Sequence, residues 1–582
     1  MAALAAGCGP SEAGGDAAID EDAGVDAPDA SMQPHVLFQI IVEPTNTILE
    51  VDLDAPASQV FSATGHYLDN TTEDVSDRVA WDISNSAVGA MTGPTLAVPG
   101  FTVAGAEVAR VSATLDGVTG EAQITVVAYR QSGAEQDFFF VLPYQDPAGA
   151  QDKPLEFSTD IPSADVLFLM DTTGSMIGEI QNLQNALQTI VAPGVQAEIP
   201  DSQFGAGAWE DFPVAPYGSE SGSDCGLGGS ADPDQPFKLF QEITSDLGAV
   251  QTAVDSYSIG NAPIGCGDDW PESNIEALYQ VATGDGLSGP GLTNVPSNNS
   301  GVGGVGFREG TMPIIVQITD ALSHAVGEGN PCPGFGFDVA YAGTVAGVAH
   351  TRSQAKAALD TVCARAVGVA SILDDVQSGA APLACTGQLD LEDFATSTGA
   401  RVPPAAWDVP ARPVGCAAGQ CCTDFNGTGR APDGDGLCPL VFRVDEDGSG
   451  LGAHIVTGIK MLTRFAAFDV TTEKSGETKS TTGIPLASGT TADFIKAMTP
   501  NSFQLPPPPP DLPDPTMDTT GFQNVTPGTL VSFNVIAFND FVPATTEPQI
   551  FRATIRVLAG GCTDLDERDV FILVPPDPIV VD

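Results

Sequence analysis

The stretch Ala164-Asp-Val-Leu-Phe-Leu-Met-Asp-Thr-Thr-Gly-Ser-Met176 constrains this chain more than any other. Val166 to Met170 is apolar without alternation, which is the pattern of a strand covered on both faces and so of the interior of a parallel α/β sheet. The run stops at Asp171, and a helical period follows in Met176, Ile177, Ile180, Leu183, Leu187, Ile190 and Val191, with Pro193-Gly194 predicted to end the helix. Open α/β sheets bind ligands at the carboxyl ends of their strands. Asp171, Thr173 and Ser175 therefore fall where such a sheet places its site. They offer hard oxygen donors and, hydroxyls apart, nothing suited to nucleophilic catalysis. Helix capping is the plainer use of Asp and Ser there.

From Ala164 to about Phe468 strands and helices alternate. Phe204–Trp209, Ile314–Thr319, Val367–Leu373 and Leu440–Val444 read as strands; Ser245–Tyr257, Glu272–Ala282, Ser353–Ala366, Leu391–Thr396 and Leu451–Phe465 read as helices. Repeated βα order predicts a doubly wound α/β domain. Ile314–Thr319 ends in Asp320, and parallel strands bring Asp320 and Asp171 to one rim. Carboxylates with hydroxyls suit a hard ion such as Mg²⁺, which keeps waters or an exchangeable partner in its shell. The glycine-rich loop from Gly284 to Gly306 is long enough to be functional.

On either side the pattern changes. Residues 1–34 hold an Asp/Ala-rich run with scarcely a large apolar side chain, which cannot offset its chain entropy and reads as a solvated tether. In residues 35–130 short β-type runs recur at Phe38–Val42, Val60–Ala63, Val79–Ile83, Arg110–Leu115 and Ile124–Val127, predicting an all-β sandwich. Within it, Val60-Phe-Ser-Ala-Thr-Gly-His-Tyr67 and Val79-Ala-Trp-Asp-Ile-Ser84 resemble bacterial immunoglobulin-like modules, with Trp81 as the buried aromatic. Residues 131–163 carry two more strands, Asp137–Leu142 and Leu155–Phe157. Residues 469–582 read as a polar and proline-rich linker (Leu505–Pro515), then a sandwich with strands at Leu530–Phe538, Phe551–Leu558 and Val570–Val574.

Acidic residues outnumber basic ones 76 to 21, a formal charge of −55, which makes phosphate backbones and anionic bilayers poor partners and divalent cations natural ones. Of eleven cysteines, Cys8 stands alone in Leu4-Ala-Ala-Gly-Cys8, which resembles the tail of a bacterial lipoprotein signal and implies lipidation, export and an outer-membrane surface. The other ten suffice for five disulfides in an oxidising compartment. No stretch is apolar over about eighteen residues, so any anchor is lipid and not a span. Cys416, Cys421, Cys422 and Cys438 lack the repeated Cys-x-x-Cys spacing of a zinc site and read as disulfide partners. Asp445-Glu-Asp-Gly-Ser-Gly450 begins like a calcium loop, but Val456 stands where a bidentate glutamate belongs, so a turn is predicted.

Asp171-x-Thr173-x-Ser175 with the later Asp320 resembles the metal-ion-dependent adhesion site of von Willebrand factor type A domains. Within that family, Trp209-Glu-Asp-Phe-Pro-Val-Ala-Pro-Tyr217, Asp269-Trp-Pro-Glu272, Gly306-Phe-Arg308 and Thr319-Asp-Ala-Leu-Ser-His324 look most like the ligand-binding domain of integrin β subunits. The resemblance implies Mg²⁺ (or Mn²⁺) held by Asp171, Thr173, Ser175, Glu272 and Asp320. It implies Ca²⁺ beside it on Asp211, Asp269 and the carbonyl of Pro271, with Glu272 bridging. Gly267 replaces one side-chain ligand of that second site, and Gly178 with Glu179 replaces the acidic pair a third ion would need. The resemblance further implies a Rossmann-like domain inserted between strands of a split sandwich, and a protein partner that presents a carboxylate to the metal.

No His-Glu-x-x-His, Gly-x-Ser-x-Gly or phosphate-cradling loop with Lys occurs, so an enzyme is not expected. His324, the one histidine near the site, reads as a packing residue. A calcium-stabilised structural envelope protein is the alternative function, with a metal-assisted hydrolase third.

Overall fold

The computed structural model describes residues 34–132, 136–221, 232–289, 294–377, 379, 381–409, 411–506 and 513–576. Cys8, the acidic run before residue 32 and most of the proline run lie outside the described residues. The described residues divide into two compact units: 34–49, 55–100 and 107–126 in one, the other described residues in the second.

The first unit is all β. Leu37–Glu43 pairs antiparallel with Ser62–Tyr67, which pairs in turn with Thr72–Asp74; Ala57–Val60 pairs with Thr95–Val98, and Ala80–Ile83 with Gly105–Leu115. Strands solvated on one face alternate: Ala63, Gly65 and Tyr67 point inward while their neighbours do not. Val42, Phe61, Val75, Val111 and Ala113 fill the interior. Trp81 departs from the sequence expectation. It is half-buried, and its indole N–H donates to the Ser76 carbonyl at 2.9 Å.

In the second unit, β1 (Ser163–Asp171), β2 (Asp201–Trp209), β3 (Lys238–Thr244), β4 (Met312–Thr319), β5 (Arg365–Ile372) and β6 (Val441–Asp445) form one sheet in the order β3-β2-β1-β4-β5-β6. All pairings are parallel except that of β3 with β2. β3 escapes the sequence reading because an edge strand is covered incompletely, and every residue in it keeps some exposure. The helices of nine or more residues are α1 (Ile177–Ala186), α2 (Leu247–Asp255), α3 (Asn274–Thr283), α4 (Arg352–Thr361), α5 (Gln388–Ser397) and α6 (Leu451–Phe465). Alternate residues of β1 face opposite layers. Val166, Phe168 and Met170 share a core with α1, α2 and α6, whereas Leu167 and Leu169 pack with α3 and α4. Both faces are covered, which is why β1 is a continuous apolar run.

Pro193-Gly194 does not end the first helix. The chain passes through a π-helical turn, Leu187–Val191, into Ala192–Gln196, where proline in a first turn lacks only an N–H that would go unused.

The strands before and after this α/β domain join each other. Phe138–Val141 pairs parallel with Thr563–Val574, Phe138 opposite Val570, and Gln151–Phe157 pairs antiparallel with Leu530–Ala537. Two sheets share one core containing Phe140, Phe157, Phe522, Phe533 and Phe551. Phe468–Gly476 and Ile495–Gln504, read from sequence as linker, are strands of these sheets. Their outward positions are Thr, Glu, Lys and Ser, and this polarity hid them.

Cysteine pairs Cys332–Cys385, Cys363–Cys562, Cys416–Cys422 and Cys421–Cys438 are disulfides, so the cysteine-rich segment is not a zinc site. Cys266 is also disulfide-bonded. Cys363–Cys562 ties the turn after α4 to the sandwich hairpin, beside the Asp564 N–H that donates to the Gly310 carbonyl at 2.8 Å. Among the described residues no helix is long and apolar enough to cross a membrane.

Candidate metal centre

The strand order reverses between β1 and β4, the place where an open α/β sheet leaves a crevice beyond its carboxyl ends. Asp171 closes β1 and Asp320 follows β4, so both stand at that crevice. Local hydrogen bonds then draw in the other segments. The Gly265 N–H donates to the Thr172 carbonyl at 3.0 Å and the Gly174 N–H to the Cys266 carbonyl at 3.2 Å, holding residues 265–267 against the loop after β1. Glu272 is pinned to the exit of β4, its N–H donating to Leu322 at 2.9 Å while its carbonyl accepts from the His324 N–H at 2.7 Å. The Ser273 hydroxyl reaches the Glu210 carbonyl at 2.7 Å, tying the start of α3 to the end of β2.

Asp171, Thr173, Glu272 and Asp320 are buried, while Ser175 is exposed and opens the group to solvent. The Asp171 carboxylate accepts the Thr173 hydroxyl at 2.6 Å, the Thr173 N–H at 3.0 Å and the Thr319 hydroxyl at 2.7 Å. The Ser175 hydroxyl favours the charged form of Asp320, against the burial that opposes it. The Thr173 hydroxyl thus spends its proton on a carboxylate and keeps its lone pairs for a cation. Glu272 Oε2 and Asp320 Oδ1 have no hydrogen-bond partner although they are buried. Orphaned carboxylate oxygens are costly, and a bound ion is one explanation of their survival.

Electrostatics gives the same picture. Burial first, and then the charge of Asp171, pushes Glu272 and Asp320 well above the ordinary carboxylate range. Glu272 also feels Asp211, Asp234 and Asp269. Burial raises Asp171 as well, against the hydroxyls that stabilise its charge. Burial and mutual repulsion oppose the charged forms of these groups, and a divalent ion would offset both.

The expected second set is also assembled. Asp211 is buried, with Oδ1 accepting from Tyr341 Oη at 2.7 Å and from the Phe212 N–H at 2.5 Å. Burial raises its carboxyl to about 7 against the opposing pull of His324. Asp269 is only partly covered, and Pro271 is buried between it and Glu272. His324 packs between Tyr217 and Tyr341, as a packing residue would, but its Nε2 lies 3.1 Å from Asp269 Oδ1 and 3.4 Å from Asp211 Oδ2. Burial lowers the imidazole, yet the two carboxylates outweigh it and the net shift is upward.

The two glycines that stand in for ligands have steric reasons. A Cβ on Gly267, whose φ is +60°, would lie 2.3 Å from Glu272 Oε1, and one on Gly178 would lie 2.7 Å from the Glu446 carbonyl oxygen. The turn at Asp445–Gly450 packs against the start of α1, with Asn182 Nδ2 donating to the Asp447 carbonyl at 2.7 Å.

Two carboxylates near the centre, Asp234 and Glu210, have no role in the sequence reading, and a third, Glu179, points elsewhere than to a neighbouring ion. Asp234 is buried and accepts from the N–H groups of Ser219, Cys266 and Gly267 at 2.8 to 3.0 Å. Glu210 accepts from Thr172 Oγ1 and from Lys238 Nζ at 3.0 and 2.7 Å, and burial raises it to about 6. Glu179 turns inward to the Ser371 hydroxyl at 2.6 Å; burial, opposed by that bond, raises it to about 7. The one available signal was Glu210 beside Asp211, directly after an apolar strand.

No family model matches the chain, and no curated protein matches it. Among solved structures, a von Willebrand factor type A protein from Catenulispora acidiphila is similar at 9% sequence identity and a TM-score of 0.28, over 77% of this chain and 76% of that one, an overlap too slight to bear on the site.

Proposed function

We propose that the chain is a surface adhesion protein whose doubly wound, Rossmann-like domain is of the von Willebrand factor A type, nearest the integrin β ligand-binding domain, carried on immunoglobulin-like sandwiches. Asp171, Thr173, Ser175, Glu272 and Asp320 hold Mg²⁺ (or Mn²⁺), and a carboxylate of a protein partner completes its shell. The observation that carries this is the pairing of a Thr173 hydroxyl whose proton is spent on Asp171 with two buried carboxylate oxygens, on Glu272 and Asp320, that lack partners, at the reversal point of the sheet. A hard dication supplies the missing charge, and its remaining position recognises an acidic group. Export and lipid attachment at Cys8 belong to the same proposal, supported by the disulfides, which persist in oxidising compartments.

Calorimetric titration of the chelator-stripped chain with Mg²⁺ or Mn²⁺ tests the reading. Saturable binding that Asp171→Ala abolishes is expected. Absence of binding, or binding indifferent to that substitution, rejects it. Metal-dependent melting without metal-dependent capture of cell-surface material would instead favour a structural envelope role.

A further inference from the structure

Beside the central ligand set, a histidine nitrogen and two carboxylate oxygens converge. Among the described residues, Asp211, Asp269 and His324 bring one ligand atom each to within 4.8 Å of one another. His324 Nδ1 sits 3.0 Å from the Val339 carbonyl, which can only accept, so Nδ1 carries a hydrogen. In the neutral ring Nε2 is then a bare acceptor, and it faces two carboxylate oxygens at 3.1 and 3.4 Å. Acceptors do not approach acceptors at that range unless a cation lies among them, and the candidates are a proton on Nε2 or a metal ion.

The surroundings are those of a metal site. Asp211 is buried and its Oδ2 makes no hydrogen bond, whereas its Oδ1 is fixed by Tyr341 and the Phe212 N–H. A backbone carbonyl that orients a histidine through the far ring nitrogen is the usual support of a metal-bound imidazole. Tyr217 and Tyr341 hold the ring at centroid distances of 5.0 and 4.5 Å. Asp269, with its side chain 15% exposed, leaves a way in.

We infer that Asp211 Oδ2, Asp269 Oδ1 and His324 Nε2 form a site for a borderline divalent ion, of which Zn²⁺ and Co²⁺ are examples, in preference to the Ca²⁺ that the resemblance implied. Calcium takes six to eight oxygen ligands, whereas an imidazole with two carboxylates suits the borderline metals, which accept three protein ligands and an open position. The site lies next to the proposed Mg²⁺ centre, sharing its neighbour Glu272, but its ligands are its own.

The test uses the full chain, stripped with chelator and then saturated with Mg²⁺, so that the central set is filled before Co²⁺ or Zn²⁺ is titrated. One equivalent of Co²⁺ is expected to bind, with a visible d–d spectrum and histidine nitrogen coupling in electron spin-echo measurements, and excess Ca²⁺ leaves that spectrum unchanged. His324→Gln and Asp269→Asn are each expected to weaken binding by at least about tenfold. The Asp269 variant guards against a folding defect at the buried histidine, and the melting curve of each variant in Mg²⁺ checks that it folds. Asp320→Ala, which alters only the central set, retains the cobalt spectrum. Failure of Co²⁺ to bind in Mg²⁺, binding indifferent to both variants, or displacement by an equal concentration of Ca²⁺ overturns the inference. Loss of Mg²⁺ binding with the cobalt spectrum intact counts against the central reading alone and supports this one.

Discussion

Replacing Asp320 by asparagine should stabilise the chain without metal and destabilise it, relative to wild type, with metal. Asp320 is 1% exposed, its Oδ1 has no partner, and burial together with Asp171 and Glu179 opposes its charge. An amide of nearly the same shape carries no charge and can donate toward the carboxylates around it. Relieving a buried unsatisfied group of this kind is worth about 1–3 kcal/mol, or roughly 2 to 12 °C in melting temperature at about 2–4 °C per kcal/mol for a domain of 150–250 residues. In Mg²⁺ the order reverses. A ligand at a hundred times its dissociation constant stabilises the folded state by about 2.7 kcal/mol, a rise of roughly 5 to 11 °C for the wild type, and a variant lacking a ligand gains little of it. Differential scanning fluorimetry in chelator and in excess Mg²⁺ reads both arms. A variant that melts below wild type in chelator, or that gains as much from Mg²⁺, would refute the view that these buried carboxylates are kept for a cation.

Three further outcomes follow from the geometry. Glu179, raised from 4.5 to about 7 in the folded chain, stabilises the metal-free protein while both states are protonated; that contribution falls away as pH rises from about 4.5 through about 7, by about 3 kcal/mol. Urea midpoints in chelator at acid and neutral pH should therefore diverge less in Glu179→Gln, and an unchanged slope would place the titration elsewhere. Gly267→Ala meets both the left-handed φ of +60° and the contact with Glu272 Oε1 at 2.3 Å. Beyond a backbone penalty of about 1–2 kcal/mol, it should displace Glu272 and weaken Mg²⁺ about tenfold by calorimetry; unchanged affinity would mean Glu272 is no ligand. Removing Cys363–Cys562, which spans 199 residues, as a double serine variant should lower stability by up to about 5 kcal/mol, seen as a fall in denaturant midpoint with Mg²⁺ affinity preserved, since the bridge lies at the other end of the sheet.

The central triplet was legible because two physical rules meet in it: continuous apolarity marks a strand covered on both sides, and a parallel strand must deliver its carboxyl end to the ligand rim. Asp171 and Asp320 needed nothing else. The sandwich was legible only in its apolar strands. Phe468–Gly476 and Ile495–Gln504 pair through backbone groups while presenting Thr, Lys and Ser outward, and such strands resemble linker until their partners are known. Glu272 entered through resemblance, since nothing in its own neighbourhood says which strand exit it will bridge. Asp234 was illegible for a related reason. Between two prolines it reads as a solvated turn, and it is buried because three backbone N–H groups from two distant loops converge on it.

The glycines show how a family pattern can mislead about cause. Read by substitution, Gly267 and Gly178 are positions where ligands have been lost. Read by distance, each admits a close approach that any side chain would block, Glu272 Oε1 against Gly267 and the Glu446 carbonyl against Gly178. Gly267 therefore belongs with the close approach of Glu272 Oε1, and the neighbouring Asp211 and Asp269 meet the imidazole of His324. A nitrogen donor among oxygens bears on which ion a site prefers, and the preference inferred for this one rests on His324 and its Val339 carbonyl.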